Sequence, residues 1–340
     1  MDSLDYHTAG WDIGGAHVKA AYVENHVLIV HQWLCPLWKG IDELSLLLGD
    51  KMKMMPEHIT RHQVTMTGEL VDFFPSRQQG VIDIVNAFSH HAQGSEVSYY
   101  STQGFLDESE AASMTDVIAS ANWSASAHAV AGKIDHAIFI DMGSTTTDVI
   151  KIIDNQLCLQ GMTDFERLQT GELIYTGVVR SCVNTIAHHV VYKGVSVPLV
   201  AENFANMADV YRSLGELPDH ADLGDTMDGQ SKDKISSLRR LARMVGGDYV
   251  AQDHAAWLAV SDDLRQRQKE KIINKISEIL SFHPAVRTLV AAGVGRFLIH
   301  QIAAELKLDY LDFSECILPD GINTNDRASD CAPAVALVFS

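Results

Sequence analysis

Two short segments of this chain carry residue types that bind phosphate. Asp12-Ile13-Gly14-Gly15 and Asp141-Met142-Gly143-Ser144-Thr145-Thr146-Thr147-Asp148 each set an aspartate at the end of an apolar run, with glycine two positions on. Glycine lets the backbone approach an anion closely and turn at positive φ, so that successive N–H groups face its oxygens. Ser144, Thr145, Thr146 and Thr147 add hydroxyl donors, and Lys19 adds a compact positive charge beside the first turn. Asp12, Asp141 and Asp148 are hard oxygen ligands suited to hydrated Mg2+, which keeps several waters and takes only one or two carboxylates. Asp12 and Asp141 are the expected metal ligands. A third element, Leu289-Val-Ala-Ala-Gly293-Val-Gly295-Arg296, runs from a strand-like stretch into a helix-like one, where a helix N-terminus can face a polar ligand. Aspartate and glycine are also ordinary turn residues, so either hairpin alone reads more readily as a plain β-hairpin, and the third element alone equally well as a packing turn.

The elements that must position these turns repeat. The segment starting at Thr8 (TAGWDIGGAHVKAAYVENHVLIVHQW) and that starting at His136 (HAIFIDMGSTTTDVIKIIDNQLCLQG) align with Asp12 on Asp141 and Gly14 on Gly143. The same offset of 129 residues puts Asn25-His26 on Asp154-Asn155. Each reads as strand, tight turn, strand, tight turn, strand. One offset shared by two turns predicts two related halves, a first lobe over 1–134 and a second over 135–340. Helical spacing is expected at 40–50, 80–91 and 109–121, and a short apolar run, Gln63 to Met66, leads into Thr67-Gly68-Glu69. From about 171 to 282 the pattern is largely helical, with Ile272, Ile273, Ile276 and Ile279 at helical spacing. A strand at 287–292 and helices at 297–306 and 332–339 close the chain.

Composition narrows the class of function. With 26 basic and 44 acidic residues the formal net charge is −18 over 340 residues, which disfavours nucleic acid and anionic membranes as partners. No apolar stretch approaches the roughly 20 residues that span a bilayer, and no signal-peptide pattern opens the sequence. Five scattered cysteines without a C-x-x-C pair fit a reducing, cytoplasmic setting.

The three glycine elements together resemble the first phosphate, second phosphate and adenosine motifs of the actin, hexokinase and heat-shock chaperone (ASKHA) superfamily. Within it the chain resembles the hydantoinase/oxoprolinase-like branch, and more narrowly the tetrahydromethanopterin-linked C1 transfer pathway proteins. Thr67-Gly-Glu-Leu70, Gly171-Glu-Leu-Ile-Tyr-Thr-Gly177, Asp225-Thr-Met-Asp-Gly229 and Arg240-Leu-Ala-Arg-Met-Val-Gly246 carry the likeness over nearly the whole chain. It implies an α/β fold of two ribonuclease-H-like lobes related by duplication, with a helical insertion in the second lobe. It also implies a transferase of methanofuran-type cofactor biosynthesis, similar to an archaeal synthase that joins a diphosphate-activated aminomethylfuran to a tyramine-type phenol and releases diphosphate. Two phosphate turns with Mg2+ between the lobes suit a diphosphate leaving group. Glu69, Asp148 and Glu172 are the candidate bases, with a helix-cap or solvated role as the plainer reading of Glu69 and Glu172, and Asp12 completes the catalytic set. ATP in place of a diphosphate substrate would make the protein a small-molecule kinase or an oxoprolinase-like hydrolase. A nucleotide-binding regulatory subunit without turnover is the third reading. Ala16-His17 stand where kinase-like relatives carry small hydroxyl residues.

Other candidates are set aside. The adjacent pairs His90-His91 and His188-His189 point to different faces and do not make a zinc site. The basic run Leu238 to Arg243 is expected to pair with local acids, and the acidic loop Asp219 to Asp233 to be solvated.

Overall fold

The computed structural model describes residues 6–325 and 327–340. In chain order the strands are β1 (Thr8–Ile13), β2 (His17–Glu24), β3 (Val27–Leu34), β4 (Arg61–Met66), β5 (Glu96–Ser101), β6 (Gly104–Leu106), β7 (His136–Met142), β8 (Thr147–Ile153), β9 (Gln156–Leu157), β10 (Leu173–Ile174), β11 (His189–Tyr192), β12 (Val195–Pro198), β13 (Thr288–Ala292), β14 (Asp309–Asp312) and β15 (Asn323–Thr324). The helices are α1 (Ile41–Lys51), α2 (Arg77–His91), α3 (Glu108–Ser113), α4 (Thr115–Ile118), α5 (Asn122–Ala131), α6 (Asp164–Thr170), α7 (Val183–Ile186), α8 (Met207–Leu214), α9 (Lys234–Arg243), α10 (His254–Phe282), α11 (Arg296–Leu306), α12 (Phe313–Ile317) and α13 (Ala332–Val338).

The chain forms two compact units. The first comprises 1–135, 152–157 and 312–340, and its sheet runs β15-β3-β2-β1-β4-β5-β6. β1 pairs antiparallel with β2 and parallel with β4, which in turn runs parallel to β5. α1 and α2 pack against one another beside this sheet through Leu44, Leu48, Val81, Val85 and Phe88, all fully buried. Trp11 lies in the same core, where its Nε1 donates to Nδ1 of buried His62, and burial pushes the His62 imidazole down to about 4.

The second unit comprises 136–151 and 158–311. The second sheet of the chain runs β10-β8-β7-β13-β14, with β9 also on β8. Its central order β9-β8-β7-β13-β14 matches β3-β2-β1-β4-β5, including the parallel step from β7 to β13. The second turn of each repeat matches as well. Asn25 and His26 have φ of 50° and 60°, and Asp154 and Asn155 have φ of 52° and 59°. Two successive left-handed residues make the tight hairpin turn whose twist suits antiparallel strands, and short Asx side chains tolerate it.

Three expectations need correction. The segment 171–282, read as largely helical with a loop near 215–230, holds β10 and the β11–β12 hairpin besides α8, α9, α10 and that loop. The helix expected at 109–121 breaks into α3 and α4, with Ser120 at φ 53°, and α5 follows, which the Ala/Ser-rich sequence did not announce. The closing segment 312–340, assigned to the second lobe from sequence, packs with the first unit. The cause lies in Gly10 of β1, where an added Cβ would stand 2.0 Å from the Ala334 carbonyl oxygen. Only a residue without a side chain lets α13 sit so close on β1. Among the described residues no helix is long and apolar enough to cross a membrane.

Candidate functional site

The first hairpin turn ends β1. Asp12 is 4% exposed and faces Lys19 across the β1–β2 ladder, with Nζ 3.7 Å from Oδ2. The Gly14 N–H donates to the His17 carbonyl at 2.9 Å and closes the turn. A Cβ on Gly15 would meet Val71 Cγ1 at 2.7 Å, and one on Gly68 would meet the Ile13 carbonyl oxygen at 3.1 Å. The Gly68–Leu70 turn after β4 therefore lies directly on the hairpin. It carries Glu69, 1% exposed, whose Oε1 accepts from Arg77 Nη2 at 2.9 Å and Ser120 Oγ at 2.8 Å. Its Oε2 is buried with no hydrogen-bond partner among the described residues. Burial raises the Glu69 carboxyl above its ordinary range, against the lowering pull of Arg77 and Ser120.

The second hairpin repeats this geometry at the same offset. Gly143 N–H donates to the Thr146 carbonyl, again at 2.9 Å. Asp141, Ser144, Thr145 and Thr146 are half-buried, so their polar atoms can reach a ligand. Thr147 is different: it is fully buried and its hydroxyl donates to the Thr176 carbonyl at 2.7 Å. That donor is spent on the fold rather than offered to phosphate. Gly293 sits at φ 79°, where a Cβ would stand 2.5 Å from Asp141 Oδ1. The Gly295 N–H donates to the Met142 carbonyl at 2.8 Å. The third glycine element thus abuts the second hairpin.

Two candidate bases are held by neighbours that the sequence did not single out. Asp148 Oδ1 accepts from Nη2 of Arg167 at 2.8 Å, and Arg167 is 1% exposed. Burial raises the Asp148 carboxyl while the Arg167 charge lowers it. Glu172 uses both oxygens as a loop clamp: Oε1 accepts from Gln160 N at 2.8 Å, and Oε2 from Gly161 N at 2.9 Å and Thr170 Oγ1 at 3.1 Å. Its plainer, structural reading from sequence is the one its contacts favour.

The second hairpin rests on a further shell. Val178 N donates to Gly143 O, and Val179 N and Arg180 N both donate to Ser144 O. A Cβ on Gly177 would collide with Ser144 C and Thr145 N at 2.4 Å. Buried Gln268 of α10 donates to Thr176 Oγ1 at 2.7 Å and to Gly177 O at 2.9 Å, and accepts from Tyr211 OH. Gly177 was visible in the Gly171–Gly177 segment. Gln268 and Arg167 gave no signal, being polar residues inside amphipathic helices.

Among the described residues no group of three His, Cys, Asp or Glu could hold a metal ion. Asp141, half-buried at a strand end, supplies one hard carboxylate, which suffices for Mg2+ when phosphate oxygens and water complete the shell. The basic run behaves as expected: Arg240 Nη2 binds Asp209 at 2.7 Å and Arg243 binds Asp248 at 2.8 Å. The acidic loop is less solvated than expected, because Asp222 and Asp228 are drawn in by Arg212 and Arg240.

Comparison with known proteins gives the family of the chain. The chain is 33% identical over 273 residues to (4-{4-[2-(gamma-L-glutamylamino)ethyl]phenoxymethyl}furan-2-yl)methanamine synthase of Methanocaldococcus jannaschii, covering 80% of this chain and 78% of that one. The Methanococcus vannielii protein of the same name is 27% identical over 173 residues, covering 50% of this chain and 76% of that one. Among solved structures, nucleotide-free acetone carboxylase aligns over 98% of this chain and 70% of its own, with a TM-score of 0.53 at 9% identity, which is a likeness of fold. Residues 61–317 match the hydantoinase/oxoprolinase family. By that match, and by its homology to the Methanocaldococcus jannaschii synthase, the chain belongs to the hydantoinase/oxoprolinase family, on an actin-like ATPase fold.

Proposed function

We propose that the protein is a transferase of methanofuran-type cofactor biosynthesis, joining a diphosphate-activated aminomethylfuran to the phenol of a tyramine derivative. The duplicated hairpin carries the reading, with Gly14 N–H on His17 O and Gly143 N–H on Thr146 O at one spacing. A turn of this kind can cradle a phosphate group. The homologous synthase's name describes a phenoxymethyl furan, the ether such a reaction makes. The bond between the furan methylene and diphosphate oxygen breaks with its electron pair leaving on diphosphate. The phenolic oxygen bonds to the methylene, and its proton passes to a carboxylate.

In this reading the backbone of Gly14–Gly15 and the N–H and hydroxyl groups of Gly143–Thr146 hold phosphate oxygens, with Lys19 as a nearby charge. Mg2+ held by Asp141, if bound, would neutralise charge developing on the leaving group. Glu69 is the proposed base. Its Oε2 has no hydrogen-bond partner among the described residues and burial raises its proton affinity, whereas Glu172 has both oxygens committed. Asp148 holds the base of the second hairpin through Arg167.

A second reading is ATP binding, favoured by one observation: the Gly293–Gly295 turn lies against Asp141 and Met142 of the second hairpin, where an adenosine element would stand. It would make the protein an ATP-dependent kinase or hydrolase, or a regulatory subunit. Thermal-shift titration with Mg2+ and diphosphate, ADP or ATP separates the readings. A ligand at 100 times its Kd adds about 2.7 kcal/mol. Stabilisation by diphosphate and release of diphosphate from the furan donor are expected; stabilisation by ATP alone would replace the transferase with the ATP reading.

A further inference from the structure

The second unit contains a cavity of about 280 Å3, lined on one side by β8 and by Cys158 and Gln160, and on the other by α10. That volume is just under the usual range of about 300–1,000 Å3 for small-molecule sites, so it suits an end group rather than a whole elongated ligand.

Its wall has both signs of charge. Lys151 Nζ lies 3.1 Å from Nε2 of His283, and no carboxylate pairs with it among the described residues. Lys275, 7% exposed, donates to Thr170 O at 2.7 Å and to Glu278 Oε1 at 3.0 Å. Glu278 is 52% exposed and keeps room for a second donor. Val149, Ile279 and Phe282 supply apolar surface, and Phe282 is left 77% exposed at the end of α10. Glu172, already saturated by backbone and Thr170 donors, fixes the floor without presenting a reactive oxygen.

We propose that this cavity binds the α-amino-acid end of a zwitterionic substrate. The carboxylate meets Lys151, the ammonium meets Glu278, and the aliphatic chain lies over Ile279 and Phe282. Side chains alternate along a strand, so Thr147, Val149 and Lys151 share one face of β8. Four residues at about 3.3 Å each put Lys151 about 13 Å from the end of the phosphate turn. The inference rests on the transferase reading for what is attached to the amino-acid end; recognition of that end does not depend on it.

Calorimetric titration of the full chain tests the site. γ-L-Glutamylethylamide is expected to bind, and N-ethylbutyramide, which lacks the charged head, is not. Lys151→Met should weaken binding at least tenfold, since a charge-assisted hydrogen bond is lost. Glu278→Gln should weaken it several-fold. Phe282→Ala removes an exposed side chain, leaves the fold intact and should also cost several-fold. No binding to the wild type, or equal binding by all variants, overturns the proposal. Binding without any diphosphate release from the furan donor would uphold the pocket and reject the transferase. Diphosphate release with equal kcat/KM for tyramine and γ-glutamyl-tyramine would uphold the transferase and reject the pocket.

Discussion

Arg167 reaches Asp148 with one guanidinium nitrogen, Nη2 to Oδ1 at 2.8 Å, and their side chains are 1% and 13% exposed. The same nitrogen donates to the Glu172 carbonyl at 3.2 Å, so one guanidinium ties the second hairpin to the residue before the edge strand β10. Breaking a buried pair by removing one member strands the other charge.

Arg167→Met is therefore expected to destabilise the protein by about 3–5 kcal/mol. The double variant Arg167→Met/Asp148→Asn, which removes both charges, should recover part of that loss. Urea denaturation of the three proteins measures both effects. Equal stability of the single and double variants would show that the pair is not coupled.

Glu69 gives the pH dependence a sign. Its folded carboxyl lies above the ordinary value of 4.5, so the folded state holds the proton more tightly than the unfolded chain does. The stability this contributes is complete below the ordinary value and is lost as pH rises through the folded one. Relative to Glu69→Gln, which does not titrate, the wild type should be more stable at about pH 4 than at about pH 7.5. A stability difference that stays flat, or runs the other way, removes the raised carboxyl.

Gly177 and Gly143 should separate support from contact. Gly177→Ala drives a Cβ into the Ser144–Thr145 peptide at 2.4 Å, whereas on Gly143 the nearest atom is 3.6 Å away. The first is expected to cost about 1–3 kcal/mol through overpacking and to abolish the diphosphate-induced thermal shift. The second should leave the melting temperature of the unliganded protein near that of the wild type. Similar melting behaviour of the two variants would mean that the 171–181 segment does not brace the hairpin.

These variants also mark what the sequence could and could not announce. The repeat was legible because its turns demand particular residues: Asn25-His26 and Asp154-Asn155 sit at left-handed φ, and Gly14 and Gly143 close matching turns. The helical faces of α2 and α10 were legible from apolar spacing, and Val81, Val85, Phe88, Ile272, Ile276 and Ile279 are buried. Arg167, Gln268 and Arg77 were not, because a polar residue in a helix looks the same whether it faces water or a buried carboxylate. The short β11–β12 hairpin escaped for a related reason. His189–Tyr192 and Val195–Pro198 make only four residues each, too few for a period to stand out.

Gly10 should tolerate no side chain. Gly10→Ala sets a Cβ 2.0 Å from Ala334 O and 2.9 Å from Leu337 Cβ, so α13 must lift from β1. A loss of about 1–3 kcal/mol or more is expected in chemical denaturation, with faster hydrogen exchange in α13. Wild-type exchange rates in α13 would show that β1 and α13 adjust without separating.

The dependence of β1 on α13 also sets a timetable for synthesis. The strand leaves the ribosome about 320 residues before the helix that covers it, which at about 5–20 residues per second is roughly 16–64 s. During that interval one face of the first sheet has no native cover, while 136–311, the span of the second unit, has already emerged. The half of the molecule made first is thus the half whose fold is completed last.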